Sequence, residues 1–325
     1  MTALPPGIDQ FLDHAGWGGA AIVALPGDAS FRRYFRLRRG DGTSAMLMHA
    51  PPPHEDPGPF LRVARWLAES AMRAPRILAE DAEQGWVLIE DFGDWRVREW
   101  IDAHPDLERA VYEQAVDALV ALHRLPPGPF APYDLTEYQR ETGLFVDWFC
   151  PDKGLEVDTR AWRDAWNVVL APVLARQAPG VVVLKDYHAE NIMLPPDGTQ
   201  GLIDFQDAMV GHPGYDLVSL LQDARRDVTP MVERAMIDRY VAAARPGEQF
   251  EADYAVLGAQ RNAKIVGVFT RLAKRDGKPR YLELIPRVWA LLERDLAHSA
   301  LRPVASWFAD NIPQAVRTNL GGTIA

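Results

Sequence analysis

The chain has no lysine before Lys153, so its N-terminal half has no ammonium side chain with which to meet an anion. It has one cysteine, Cys150, which excludes an intrachain disulfide and reads as a buried thiol. No run of about 18 apolar residues occurs, which excludes a membrane-spanning helix. The opening MTALPPGIDQ lacks a basic stretch followed by an apolar one, and the expectation is a cytoplasmic protein without a membrane partner. A formal net charge of −10 argues against nucleic acid, whose phosphates call for clustered lysine and arginine. Repeats and low-complexity tracts are also missing. The 325 residues that remain to be explained are 48% apolar and 25% charged, ordinary for a globular protein with room for two domains.

Two polar clusters interrupt apolar runs in the second half. In VVVLKDYHAENIML, Asp186 and Asn191 stand five positions apart, and Asp204 follows thirteen later in GLIDFQDA. The β-branched run 181–184 reads as a buried strand, and 185–190 is too polar to continue it. Residues 191–194 read as a second strand, turned at Pro195-Pro-Asp-Gly198 into 201–205. Such a hairpin brings Asn191 and Asp204 to one end and leaves Asp186 on a loop. Taken singly, each is an ordinary turn or cap residue. Together they suit phosphoryl transfer: Asp186 orients and accepts the proton of an attacking hydroxyl, while Asn191 and Asp204 offer the oxygen ligands that Mg²⁺ prefers.

The residues Asp186, His188 and Asn191, then Asp204 and Asp207, then Gly211, Pro213, Tyr215, Asp216 and Leu217 form a pattern that resembles the aminoglycoside phosphotransferase and choline kinase family. The resemblance implies an α+β, protein-kinase-like two-lobe fold. Its N-lobe would be a five-stranded antiparallel sheet with a helix, and its C-lobe mainly helical with a catalytic β-hairpin. The implied lobes are 1–92 for nucleotide and 93–325 for catalysis and substrate. GWVLIEDFG resembles the strand and hinge whose backbone meets adenine, which places Glu90 and Phe92 at the nucleotide. YFRLR, MLMHAPP, KDYHAEN and IDFQDA look most like the anomeric sugar kinases of peptidoglycan recycling, which phosphorylate N-acetylmuramate and N-acetylglucosamine. ATP, Mg²⁺ and a small-molecule sugar are the implied ligands of a monomer. Aminoglycoside, choline and homoserine kinases are alternatives within the fold, and a nucleotide-binding regulatory module without turnover is the alternative outside enzymes.

The family pattern is broken twice. Leu184 stands where a histidine usually precedes the catalytic aspartate. The strand lysine that reaches the α- and β-phosphates is missing, and Met48 stands at or near its place. Glu69, the helix acid that would pair with that lysine, is left without a partner. The segment GDASFRRYFR is the replacement expected from the sequence: Ser30 and the backbone near Phe31 would cover the phosphates, and either Arg32 or Arg33 would neutralise them. The two arginines alternate along a strand, so one of them faces inward.

Strands are expected at 20–25, 31–38, 44–50, 76–79 and 86–90, and an amphipathic helix over 60–71. Beyond residue 93 the pattern is helical: 107–122, 136–149, 159–177, 215–225, 230–244, 252–272 and 280–298. His188, Asp207 and Trp148 are the candidate acceptor-side residues. For His188 a structural role in the loop is the stronger reading, Asp207 reads equally as a loop or capping residue, and Trp148 reads equally as core. Lys185 reads as an exposed lysine beside the base.

Overall fold

The computed structural model describes residues 4–26 and 31–320, so Ser30 lies outside the described residues. In chain order the elements are α1 (Ile8–His14), β1 (Ala21–Ala24), β2 (Arg33–Arg38), β3 (Ser44–His49), α2 (Gly58–Glu69), β4 (Ile77–Asp81), β5 (Trp86–Glu90), α3 (Val97–Ala103), α4 (Glu108–His123), α5 (Leu135–Leu144), α6 (Cys150–Asp152) and α7 (Thr159–Gln177). There follow β6 (Val181–Val183), β7 (Ile192–Met193), β8 (Gly201–Leu202), β9 (Met209–Gly211), α8 (Gly214–Leu221), α9 (Pro230–Ala244), α10 (Phe250–Lys274), α11 (Ile285–Leu296), α12 (Arg302–Asn311) and α13 (Gln314–Asn319). They form two compact units: Met1–Trp100 with Glu190–Asp207, and Ile101–Ala189 with Ala208–Ala325. The hairpin β7–β8 therefore groups with the N-terminal residues, which a single cut at residue 92 does not express.

The first unit is built on an antiparallel sheet of order β1-β2-β3-β5-β4, the five strands expected from alternation. Register explains which face is which, because side chains alternate along a strand. Phe35 lies opposite Leu47, which lies opposite Leu88. With Leu37, Ala45 and Trp86 they form a core closed by Ile8, Phe11 and Leu12 of α1 and by Trp17. Burying a side chain of that size stabilises the fold by roughly 1.5–3 kcal/mol. The other face carries Tyr34, Met48 and Val87 in register. Met48 is fully buried there, and the Tyr34 hydroxyl lies 3.5 Å from its sulfur. Gly85 ends the β4–β5 turn at φ 77°, where a Cβ would sit 2.0 Å from the Ala50 carbonyl oxygen.

The second unit is helical around α10, a 25-residue helix that packs against α5, α8 and α11. Gly267 makes that packing close, since a Cβ there would lie 2.3 Å from the Leu144 carbonyl carbon. The expected helix over 136–149 is α5 followed by a π-helical turn at Phe145–Phe149. That turn aims Phe145 and Phe149 into a buried aromatic cluster with Trp162, Trp289 and Phe308. Cys150 is buried as expected, and burial pushes its thiol up to about 12. Strand β6 pairs with β9, a partner the hydrophobic pattern did not announce. Helices α3, α12 and α13 were also not anticipated. Among the described residues no helix is long and apolar enough to cross a membrane.

Candidate functional site

In the first unit, a cleft of about 470 Å³ is lined by Arg32, the one candidate nucleotide residue there, with Met48, His54, Glu55, Gln206 and Asp207 among others. Arg32, just ahead of β2, approaches Glu55 to 3.8 Å and Asp204 to 3.9 Å. Arg33 lies on the opposite side of the strand with its guanidinium 5.1 Å from the Phe35 ring. Of the two, Arg32 is the one that lines the cleft. Phe31 is 67% exposed; its backbone N–H donates to Glu55 at 3.1 Å and its ring stacks on His54. The acid that meets the inward cation is accordingly Glu55, from the proline-rich connection. Glu69, the acid expected on the helix, is exposed at the end of α2.

The hairpin β7–β8 carries the next pair. The Ile203 N–H donates to the Asn191 carbonyl at 3.0 Å, and the Asn191 amide lies 3.4 Å from the Asp204 carboxylate. Asp204 holds φ 57°, a left-handed backbone that a non-glycine residue adopts at a cost of order 1–3 kcal/mol, as residues at functional sites often do. The Gln206 amide donates to its carboxylate at 2.9 Å. Among the described residues no group of three or more His, Cys, Asp or Glu is placed to hold a metal. A divalent cation here would take one carboxylate and one amide oxygen from the protein and its other ligands from phosphate and water. That donor set fits Mg²⁺, which keeps several waters and favours few protein carboxylates.

Arg73 ties this hairpin to the hinge strand, and sequence reasoning missed it. Its guanidinium grips Glu90 with two 2.9 Å bonds, reaches Asp197 in the hairpin turn at 3.2 Å, and covers the Phe92 ring at 4.5 Å. The bond from Arg73 holds the Glu90 carboxyl below its ordinary range. Glu90 is thus spent on structure through its side chain, which leaves only its backbone for a ligand. Gly201 is required because a Cβ would sit 2.4 Å from the Phe92 ring.

In the second unit, Asp186 follows β6 on a loop held from beneath. The Asp216 carboxylate accepts the N–H groups of Leu184 at 2.6 Å and Lys185 at 2.9 Å. Burial pushes the Asp216 carboxyl up to about 7, against those two bonds. Ser219 donates to the Lys185 carbonyl at 3.2 Å. Burial opposes ionisation of Asp186, but Lys264, His188, Arg261 and Arg225 outweigh it, so its carboxyl titrates below the ordinary value. His188 is buried, its Nε2 3.3 Å from Arg225, and burial lowers its basicity. The Asp186 carboxyl is thus held in its ionised form in this loop.

Lys185, read from sequence as exposed, is buried, because Glu141 and Glu137 accept its ammonium at 2.8 and 3.1 Å. Trp148 is half-buried on the π-helical turn, and Asp207 lines the cleft of the first unit. The residues missed around Asp186 are Arg225, Arg261, Lys264 and Glu141. Their signal was weak: each is a charge whose spacing does not distinguish it from a solvated face.

A family model described as the phosphotransferase enzyme family matches residues 21–257. An N-acetylmuramate/N-acetylglucosamine kinase of Caulobacter vibrioides is 35% identical, covering 94% of this chain and 96% of its own. One from Pseudomonas aeruginosa is 37% identical, covering 87% of this chain and 86% of its own. Among solved structures, a choline/ethanolamine kinase family protein from Mesorhizobium loti superposes with a TM-score of 0.64 at 14% identity, over 93% of this chain and 96% of that one, a likeness of fold alone. The five-stranded sheet and helical remainder expected from the motifs are therefore the fold of known kinases, and the chain belongs to the phosphotransferase enzyme family.

Proposed function

We propose that this enzyme transfers the γ-phosphoryl group of ATP to the anomeric hydroxyl of N-acetylmuramate or N-acetylglucosamine, in the cytoplasm and in the service of cell-wall recycling. The observation that carries the substrate is the 35% identity to a kinase named for both sugars, sustained over 94% of the chain. In this reading residues 1–92 form the nucleotide lobe and 93–325 the catalytic and acceptor lobe.

Each residue has one task. Asp186, kept ionised by its cationic neighbours, orients the sugar hydroxyl and accepts its proton. An anomeric hydroxyl is more acidic than an ordinary alcohol, so a weak carboxylate base suffices. Asn191 and Asp204 would hold Mg²⁺, which would supply positive charge to neutralise the phosphate oxygens. Arg32 lies at the same carboxylate and takes over the phosphate contact that lysine makes elsewhere in the fold. The protein's contribution is positioning and fixed charge, with no phosphoenzyme.

Purified enzyme with Mg-ATP, challenged in turn with N-acetylmuramate, N-acetylglucosamine, glucose, choline, homoserine and kanamycin, tests this by ADP release. Turnover confined to the amino sugars, with a phosphate on C1 in the product's ³¹P spectrum, is expected. Turnover on kanamycin, choline or homoserine instead assigns a different acceptor. Thermal stabilisation by nucleotide with turnover on nothing points to a regulatory module.

A further inference from the structure

The second unit contains a buried group of charges that the transfer reaction, as described, does not use. Glu141 of α5 is 1% exposed. Its carboxylate accepts the ammonium of Lys185 at 2.8 Å and that of Lys264, from α10, at 3.0 Å. The Tyr133 hydroxyl donates to it in a short bond, the Gln260 amide at 3.3 Å, and Arg140 stands 3.8 Å away. One buried carboxylate thus joins two helices and the chain before α5 to the residue that immediately precedes Asp186. Lys185 itself holds φ 70°, a left-handed backbone unfavourable to any side chain. Its N–H on Asp216, its carbonyl on Ser219 and its ammonium on Glu141 and Glu137 hold it so.

We propose that Glu141 is a positioning residue for Asp186: through Lys185 it holds the loop in the strained backbone that aims the reacting carboxylate. A structural carboxylate in a helical core needs one cation. Glu141 instead takes a lysine from the loop and a second from α10, so the loop is fastened to the longest helix of the unit. The left-handed residue is where an unfastened loop relaxes first, turning Asp186 with it. Misplacement by about 1 Å at a reacting group costs on the order of a hundredfold in rate.

The inference rests on Asp186 as the proton acceptor, and its test compares variants with wild type on whichever acceptor wild type phosphorylates, so a different acceptor overturns the substrate alone. Lys264→Met leaves Lys185 both of its carboxylates, whereas the double variant E141Q/K264M leaves it Glu137 alone. Assayed well below both melting temperatures, the double variant is expected to show kcat roughly tenfold or more below Lys264→Met, with KM for ATP changed by less than about threefold. Glu141→Gln alone is expected to lose kcat to a similar degree; should it fail to fold, the pair above carries the test. Equal kcat in Lys264→Met and E141Q/K264M, or a loss that appears only in KM, overturns the proposal and leaves Glu141 a structural residue.

Discussion

The guanidinium of Arg32 lies 3.9 Å from the carboxylate of Asp204 and 3.8 Å from that of Glu55. A chain without an N-terminal lysine has in this way placed a cation beside the residue proposed to hold the metal, with Met48 buried in the strand where the lysine would stand. Arg32→Ala should raise KM for ATP and lower kcat/KM by roughly 10- to 1000-fold, the range for losing one charge-stabilising donor. Arg32→Lys should recover part of this, since an ammonium keeps the charge without the fork. Steady-state kinetics on ATP check it, and Arg32→Ala at wild-type kcat/KM removes Arg32 from the site. Arg33→Ala serves as the control and should stay within about threefold.

The hairpin pair makes a separate prediction about metal. Asp204→Asn removes the one carboxylate at the proposed cation site and should lower kcat by roughly 10²- to 10³-fold. It should also move the activating Mg²⁺ concentration upward. Asn191→Ala should do the same to a smaller degree, because an amide oxygen holds the cation less strongly than a carboxylate. A Mg²⁺ titration of activity reads both, and an unchanged midpoint in Asp204→Asn would show that the cation sits elsewhere.

Stability should depend on pH through Asp295. Burial pushes its carboxyl up to about 8, with the Gln222 and Asn262 amides donating to it at 3.0 and 3.2 Å. The folded protein therefore holds a proton that the unfolded chain has released above about pH 4, and stability falls as pH rises from there toward 8. The slope from this one group approaches about 1.4 kcal/mol per pH unit. Asp295→Asn cannot titrate, so its melting temperature should decline less than that of wild type between pH 5.5 and 8. Parallel declines would show that Asp295 is ionised in the fold.

The site was legible in sequence where chemistry and strand punctuation coincide, and illegible where a charge serves the interior. Asp186, Asn191 and Asp204 stood out because each borders an apolar run at a turn. The sheet was legible because Phe35, Leu37, Ala45, Leu47, Trp86 and Leu88 alternate with polar or differently facing neighbours. Arg73, Glu141 and Lys264 were not, since Arg73 meets Glu90 and Asp197, 17 and 124 residues away, the Glu141–Lys264 pair is as distant in sequence, and no local period marks them. Lys185 reads as solvated for the same reason: its two carboxylate partners come from α5, more than forty residues earlier. The choice of Glu55 over Glu69 also turned on tertiary structure, because helical spacing favours Glu69 and only the path of the proline-rich connection brings Glu55 to Arg32.

The claim on which the account depends is that Asp186 accepts the proton of the sugar hydroxyl. Asp186→Asn keeps the side chain's size and removes its basicity, so kcat with N-acetylglucosamine should fall by roughly 10²- to 10⁴-fold. The dissociation constant for ATP, measured by calorimetry on the same preparation, should stay within about threefold of wild type. An Asp186→Asn enzyme that keeps near-normal kcat, with the same nucleotide affinity, would contradict the assignment and the mechanism built on it.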